Sequence, residues 1–105
     1  MIIRNPAGAA QIPQTNYTRG RSREYKVIEM LRQQGYYATR SAGSHGLFDV
    51  IAIGPHDFLL IQVKLECKPT SQERQALEEF QAPPNAFKEL WVFRNRMKPT
   101  IERLN

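Results

Sequence analysis

Three polar side chains interrupt the two most hydrophobic segments of the sequence. Asp49 lies in LFDVIAI, and Gln62 and Lys64 lie in FLLIQVKLE. An unpaired charge in an apolar segment is costly, so such residues are usually paired, bound to a metal or used in chemistry. Because side chains alternate between the faces of a strand, Gln62 and Lys64 share one face and can meet Asp49 across a hairpin. The pattern places a carboxylate, an amide oxygen and an ammonium at one end of a sheet.

A further acid, Glu24, precedes Val27 and Ile28 by three and four positions. This spacing puts Glu24 on the apolar stripe of a helix, so its side chain points inward. Two interpretations stay open. Glu24 belongs to the same site as Asp49, or it is an acid of the first helical turn that the helix macrodipole favours.

Carboxylate and amide oxygens suit a hard cation such as Mg²⁺, which takes one or two carboxylates and keeps water for itself and for substrate phosphate. A neighbouring ammonium suits the negative charge that develops on a phosphate under attack. Attack of a metal-bound water on phosphorus, with Lys64 beside the reacting phosphate, needs this set of groups. The residues therefore lead to the hypothesis of phosphodiester hydrolysis.

The surrounding segments predict the elements that position these residues. A helix is expected from Ser22, a plausible N-cap, to Gln34, with Gly35 at its C′ position. Thr70, followed three residues later by Glu73, predicts a capping box at the start of a second helix. Segments rich in aromatic and β-branched residues predict strands. The predicted strands are YYATRSA, LFDVIAI, FLLIQVKLE, KELWVFR and a last edge strand between Met97 and Asn105.

The composition limits the class of protein. The 105 residues correspond to one domain with a single modest core. The 15 Lys and Arg against 10 Asp and Glu give a formal net charge of +5, which favours nucleic acid as partner, although many small basic proteins are merely soluble. A single cysteine excludes an internal disulfide and a Cys-rich zinc site. Without a membrane-length apolar run or a signal-peptide pattern, we expect a cytoplasmic protein with no membrane partner.

The order of the polar residues resembles the PD-(D/E)xK nuclease superfamily. Its layout is a helix Glu, then G-x-x-D opening a strand, then an acid-x-Lys on the next strand. Here the layout reads Glu24, then Gly46-Leu47-Phe48-Asp49, then Gln62-Val63-Lys64. More narrowly, GRSREYKVIEMLRQQGYYATRSAGSHGLFDVIAI resembles the archaeal-type Holliday junction resolvases. The resemblance covers roughly residues 19–94.

The resemblance implies an α/β fold, a small mixed sheet flanked by helices with a restriction-endonuclease-like αβββαβ core. It implies a Mg²⁺ ion, for which Mn²⁺ substitutes, held by Asp49 and the residue at position 62. Glu24 would contribute through water, and Lys64 would act at the reacting phosphate. A homodimer embracing branched DNA is also implied, and paired incision of two opposed strands asks for two active sites.

Loop and helix residues extend the predicted site towards DNA. The resolvases use a loop serine, and Ser44, which lies between two glycines, is favoured over Ser41 for this role. His45 can relay protons or touch phosphate, although a lone loop histidine is more often a surface residue. Arginines before the Glu24 helix and before the Asp49 loop are expected to bind phosphates, the alternative being an ordinary solvated face. The predicted DNA-binding residues are Arg19, Arg21, Arg23, Arg40, Ser41 and His45.

Gln62 departs from the superfamily pattern, which has an acid at this position. Three explanations stay open: the amide oxygen is a sufficient ligand, Glu66 on the same strand face restores a negative charge, or the chain binds DNA without cutting it. Trp91 and Phe93 are expected in the core or in a dimer interface.

The sequence thus predicts a metal-dependent, structure-selective DNA endonuclease, a Holliday junction resolvase acting at four-way junctions. A flap, nicked-duplex or single-strand nuclease of the same superfamily is the first alternative, and a non-catalytic DNA-binding protein is the second. Residues 1–18 are expected to form a flexible arm and residues 19–105 the nuclease domain.

Overall fold

The computed structural model describes residues 16–41, 46–95 and 98–105, with side chains from residue 22 onward. Along these ranges the order of elements is α–β–β–β–α–β–β, which confirms the predicted α/β fold and its αβββαβ core. No helix in these ranges is long and apolar enough to cross a membrane. The elements are α1 (Asn16–Gln33), β1 (Tyr37–Arg40), β2 (Val50–Ile53), β3 (Phe58–Leu65), α2 (Ser71–Glu79), β4 (Ala86–Phe93) and β5 (Thr100–Arg103).

The strands form one mixed sheet in the order β1-β2-β3-β4-β5. β3 and β4 are parallel, whereas the other neighbouring pairs are antiparallel. Parallel neighbours need a crossover connection, which α2 provides. Because only residues 66–70 connect β3 to α2, α2 begins close to the end of β3 that carries Lys64.

α1 covers one face of the sheet and forms the core with it. Val27, Ile28 and Leu31 of α1 are buried and pack against buried residues of β1 to β4. Trp91 and Phe93 belong to this core, as one of the two predicted alternatives had it. The sheet residues of the core are Ala38, Val50, Ala52, Leu59, Ile61, Trp91 and Phe93.

The C-terminus of α1 has the predicted glycine stop. Gly35 has a φ of 93°, a conformation that glycine adopts without the penalty that a Cβ would bring. The N–H groups of Gly35 and Tyr36 donate to the carbonyl oxygens of Arg32 and Leu31, each at 3.0 Å. This pair of hydrogen bonds is the Schellman pattern of a helix end.

The predicted start of α1 is wrong. The helix begins at Asn16, and Ser22 lies inside it rather than at its N-cap. A serine favours a cap but does not stop a helix, and Gly20 costs a helix interior only about 1 kcal/mol. Residues 16–18, expected in the N-terminal arm, therefore form the first turn of α1. Residues 1–15 of that arm lie outside the described residues.

α2 is anchored at both ends. Thr70 Oγ1 accepts a hydrogen bond from the N–H of Glu73, and Glu73 Oε1 accepts one from the N–H of Thr70, which confirms the predicted capping box. At the other end the ammonium of Lys88, a residue of β4 that is only 3% exposed, satisfies helix-end carbonyls and complements the negative end of the helix dipole. Its three acceptors are the carbonyl oxygens of Leu77, Glu78 and Phe80, at 2.7, 2.8 and 2.9 Å.

Candidate active site

The predicted polar residues meet at the end of the β2–β3 hairpin. Val50 pairs with Ile61, so Asp49, one residue before β2, lies beside Gln62. The N–H of Asp49 donates to the carbonyl oxygen of Ile61 at 2.8 Å, and Asp49 Oδ2 accepts from the N–H of Val63 at 2.9 Å. These residues border a cavity of about 320 Å³, called the Asp49 cavity below. Its lining comprises Gly46, Leu47, Asp49, Gln62, Lys64, Glu73 and Leu77.

The electrostatic surroundings of Asp49 disfavour its negative charge. Burial of the carboxylate is the main reason why the pKa of Asp49 is raised above its ordinary value, and the negative charge of Glu24 raises it further. The hydrogen bond from Val63 and the positive charges of Lys64 and Arg40 act in the opposite direction. A cation bound beside Asp49 would relieve this unfavourable balance.

Lys64 is held in the Asp49 cavity by a carboxylate of α2. Its ammonium donates to Glu73 Oε2 at 2.5 Å, while Glu73 Oε1 accepts from the N–H of Thr70 at 2.9 Å. The hydrogen bond from Lys64, followed by that from Thr70, lowers the pKa of Glu73. The capping box that starts α2 therefore also fixes the counter-ion of Lys64.

Sequence reasoning recognised Glu73 only as a capping residue and missed its place in the cavity. A signal was available, because a capping-box side chain turns back towards the N-cap and the short connection after β3 brings that N-cap close to Lys64. Glu66, which one of the three open explanations made the acid that compensates for Gln62, is exposed and has a φ of 62° beyond the end of β3. It does not line the Asp49 cavity, whereas Glu73 does.

Glu24 lies close to Asp49 but is not one of the residues that line the Asp49 cavity. Its side chain is only 17% exposed and accepts a hydrogen bond from Arg40 Nε at 2.8 Å. The guanidinium of Arg40 also lies over the ring of Tyr25, 5.5 Å from its centroid. The hydrogen bond to Glu24 is the largest cause of the raised pKa of Arg40. Arg40, predicted to bind phosphate, is therefore already paired with Glu24 beside the Asp49 cavity.

The remaining predicted residues are only partly described. The guanidinium carbon of Arg23 lies 5.8 Å from the centroid of the Phe93 ring, and the N–H of Ser41 donates to the carbonyl oxygen of Asp49 at 2.8 Å. The side chains of Arg19 and Arg21 on α1 lie outside the described residues, as do Ser44 and His45. Their roles stay predictions.

The fold and the Asp49 cavity together have the layout of a PD-(D/E)xK nuclease: a Glu on the first helix, an Asp before the second strand, and Lys64 near the end of the third. Residues 15–97 match the family model described as the archaeal Holliday junction resolvase (Hjc). The match extends over most of the chain, and the chain belongs to this family. Membership supports a Holliday junction resolvase function, and with it nuclease activity and DNA binding.

A solved structure shows the same fold. The Holliday junction resolvase Hjc of the archaeal hyperthermophile Archaeoglobus fulgidus aligns with a TM-score of 0.67 over 82% of this chain and 73% of that chain. The two sequences are 21% identical, so this alignment establishes the fold alone. A comparison with curated proteins gave no match.

Replacing Glu24 with Gln should lower the pKa of Asp49. The substitution removes a negative charge that raises this pKa and releases Arg40, whose positive charge lowers it. Carboxyl ¹³C NMR titration should place the pKa of Asp49 above the ordinary aspartate value of about 3.9 in the wild type, and lower in Glu24→Gln than in the wild type. Glu29→Gln, on an exposed position of the same helix, is the control. An Asp49 pKa that responds equally to both substitutions would show that Glu24 is not coupled to the site.

Proposed function

We propose that the protein is a metal-dependent, structure-selective DNA endonuclease, a Holliday junction resolvase that hydrolyses phosphodiester bonds at four-way junctions. The observation that carries this proposal is the meeting of Asp49, Gln62 and Lys64 in one cavity of a chain that belongs to the resolvase family. The cavity supports phosphodiester hydrolysis, and the family supports the choice of branched DNA.

The oxygen atoms of the Asp49 cavity fit a hard divalent cation. Asp49 and Glu73 offer carboxylates and Gln62 offers an amide oxygen, and Mg²⁺ binds through one or two carboxylates while keeping several waters. In residues 16–41, 46–95 and 98–105 no three His, Cys, Asp or Glu side chains are grouped closely enough to hold a metal, so water and substrate would complete the coordination. Mg²⁺, with Mn²⁺ as a substitute, would supply an activated water and charge stabilisation here.

The side chains around the metal position have separate roles in the proposed hydrolysis. Lys64 places its positive charge beside the phosphate under attack, where negative charge develops. Until substrate arrives, Glu73 keeps the ammonium of Lys64 in the cavity, and the phosphate oxygens then take the place of this carboxylate. Glu24, held by Arg40, positions water next to Asp49. Ser44 is the loop serine that assists at the phosphate.

Gln62 makes a second candidate function worth testing, namely DNA binding without cleavage. A neutral amide gives a metal one oxygen without charge, and hard cations prefer charged oxygen ligands. Two features support the catalytic proposal in spite of this departure. Glu73 brings a second carboxylate to the cavity lining, and both Asp49 and Lys64 are present there.

A substrate panel tests the catalytic proposal. With Mg²⁺, the wild type should cleave a four-way junction faster than flap, nicked-duplex or single-stranded DNA. Asp49→Asn and Lys64→Met should each reduce the cleavage rate about 100-fold or more while junction binding persists, because binding depends on many phosphate contacts. Glu66→Gln is the matched control and should cleave like the wild type. Junction binding with no cleavage in Mg²⁺ or Mn²⁺ would favour the second candidate, and unchanged cleavage by Asp49→Asn would refute the assigned site.

We also propose a homodimer. Tyr37, Ile53 and Phe58 lie side by side on β1, β2 and β3, on the sheet face opposite α1, and are 59%, 44% and 36% exposed. Phe80, at the end of α2 on the same face, is 41% exposed and packs edge to face against Phe48. An exposed apolar row of this kind marks an interaction surface. A partner subunit covering it would provide the second active site that paired incision needs.

Sedimentation equilibrium tests the homodimer. Ile53→Asp combined with Phe58→Asp should convert a wild-type dimer into monomers, because two charges would have to be buried in the interface. Ile101→Asp places a charge at an exposed apolar position on the opposite sheet face of β5 and should leave the dimer intact. A wild type that sediments as a monomer, or a dimer that survives the double substitution, would rule out this surface.

A further inference from the structure

A second cavity, of about 470 Å³, lies between α1 and the end of β4 and is strongly basic. Four of its seven lining residues carry positive charge and none is acidic. Two of the cations come from α1, one directly follows β4 and one precedes β5 by two residues. These four cations are Arg23, Lys26, Arg94 and Lys98. The cavity is called the basic cavity below.

These four cations differ from four other basic side chains among the described residues, namely Arg40, Lys64, Arg74 and Arg103. Elsewhere acids pair with the cations: Glu24 with Arg40, Glu73 with Lys64, Glu78 and Glu102 with Arg74, and Glu89 with Arg103. Within the described ranges, by contrast, no cation of the basic cavity forms an ion pair. Unpaired like charges around one concavity repel each other, and an anionic partner removes that cost.

Arg23 gives the clearest sign that an acceptor belongs in the basic cavity. Its Nε is buried and has no hydrogen-bond partner among the described residues. Leaving a buried donor unsatisfied costs about 1–3 kcal/mol, and more when the donor is charged. The guanidinium carbon lies 5.8 Å from the centroid of the Phe93 ring, a cation–π contact that does not satisfy this N–H. A phosphate is the acceptor that a planar guanidinium binds best.

The basic cavity lies at the same end of the sheet as the Asp49 cavity. Arg23 directly precedes Glu24 on α1, and Phe93 pairs with Leu65, the residue after Lys64. By strand alternation Lys64 lies on the α2 face and Phe93 on the α1 face. A DNA strand with a phosphate at Lys64 can therefore pass over this sheet end and present its next phosphates to the basic cavity.

We propose that the basic cavity binds backbone phosphates of the DNA arm that leads away from the cleaved bond. The inference deepens the proposed function and rests on it, since it assigns the position of the substrate arm. Arg23 would bind a phosphate through hydrogen bonds from its guanidinium. Lys26, Arg94 and Lys98 would add positive charge next to neighbouring phosphates of the same strand. Contacts of this kind position DNA without reading its sequence.

Lys26→Gln and Lys98→Gln provide the first test, because both side chains are exposed and their loss should spare the fold. In metal-free binding measurements, each substitution should raise the Kd for a four-way junction about tenfold. The logarithm of the association constant falls as the logarithm of the salt concentration rises. Each substitution should make this negative slope shallower by about 0.9 for every DNA phosphate that the variant no longer neutralises. Arg32→Gln removes the same charge from an exposed position further along α1 and should leave Kd and slope unchanged.

Methylphosphonate substitution of single DNA phosphates provides the second test. When each phosphate of the arm beside the cleaved bond is made neutral in turn, binding of the wild type should weaken, and at one of these positions the change should have a much smaller effect on Lys26→Gln than on the wild type. Inorganic phosphate at the same ionic strength should compete no better than chloride if the cavity is built for a DNA strand rather than for a free anion.

The outcomes separate this inference from the proposed function. A wild type that neither binds nor cleaves junctions would refute the proposed function. The second outcome is a wild type that cleaves junctions while Lys26→Gln and Lys98→Gln have the same Kd and salt dependence as the wild type. This outcome would refute only the proposal that the basic cavity binds DNA phosphates. Strong competition by inorganic phosphate would show that the ligand of the basic cavity is a free anion and would contradict the proposal that it binds a DNA arm.

Discussion

The antiparallel pairing of β2 with β3 brings together Asp49, Gln62 and Lys64, the three residues at the centre of the candidate site. Asp49 continues this pairing beyond the first residue of β2, with its N–H bonded to Ile61 and its carboxylate bonded to the N–H of Val63. The carboxylate is therefore fixed to the backbone beside Gln62. A slip of one residue would turn Gln62 and Lys64 towards α1 and the core. The buried core residues of both strands oppose such a slip, since each fills space beneath α1.

The charges around this pairing are nearly balanced but leave the site negative. Three carboxylates, Glu24, Asp49 and Glu73, face two cations, Arg40 and Lys64, among the described residues. Two of the acids are neutralised by direct ion pairs, whereas Asp49 is half-buried, and its raised pKa reflects that burial first. A divalent cation would offset this remaining charge, and the basic cavity on the other face would then attract the rest of the polyanionic substrate.

Local patterns in the sequence were sufficient for most of the fold. The order of elements, the capping box at Thr70 and the glycine stop at Gly35 each depend on neighbouring residues, and all three are confirmed. The start of α1 was missed, because Ser22 is compatible with a cap and with a helix interior alike. The meeting of Asp49 with Gln62 and Lys64 followed from strand alternation. The place of Glu73 did not, because it depends on where the β3–α2 connection puts the start of α2, and the four cations of the basic cavity come from segments about 70 residues apart.

The central claim is that an oxygen-lined metal site lies between β2, β3 and α2, and Mn²⁺ binding to the DNA-free protein tests it most directly. Isothermal titration calorimetry should show weaker binding by at least about tenfold in Asp49→Ala and weaker binding in Gln62→Ala. Gln62→Glu should bind Mn²⁺ more tightly than the wild type, because a hard cation prefers a charged oxygen ligand. Glu66→Gln, outside the cavity, should bind like the wild type. The same Mn²⁺ affinity in the wild type, Asp49→Ala and Gln62→Glu would contradict the account.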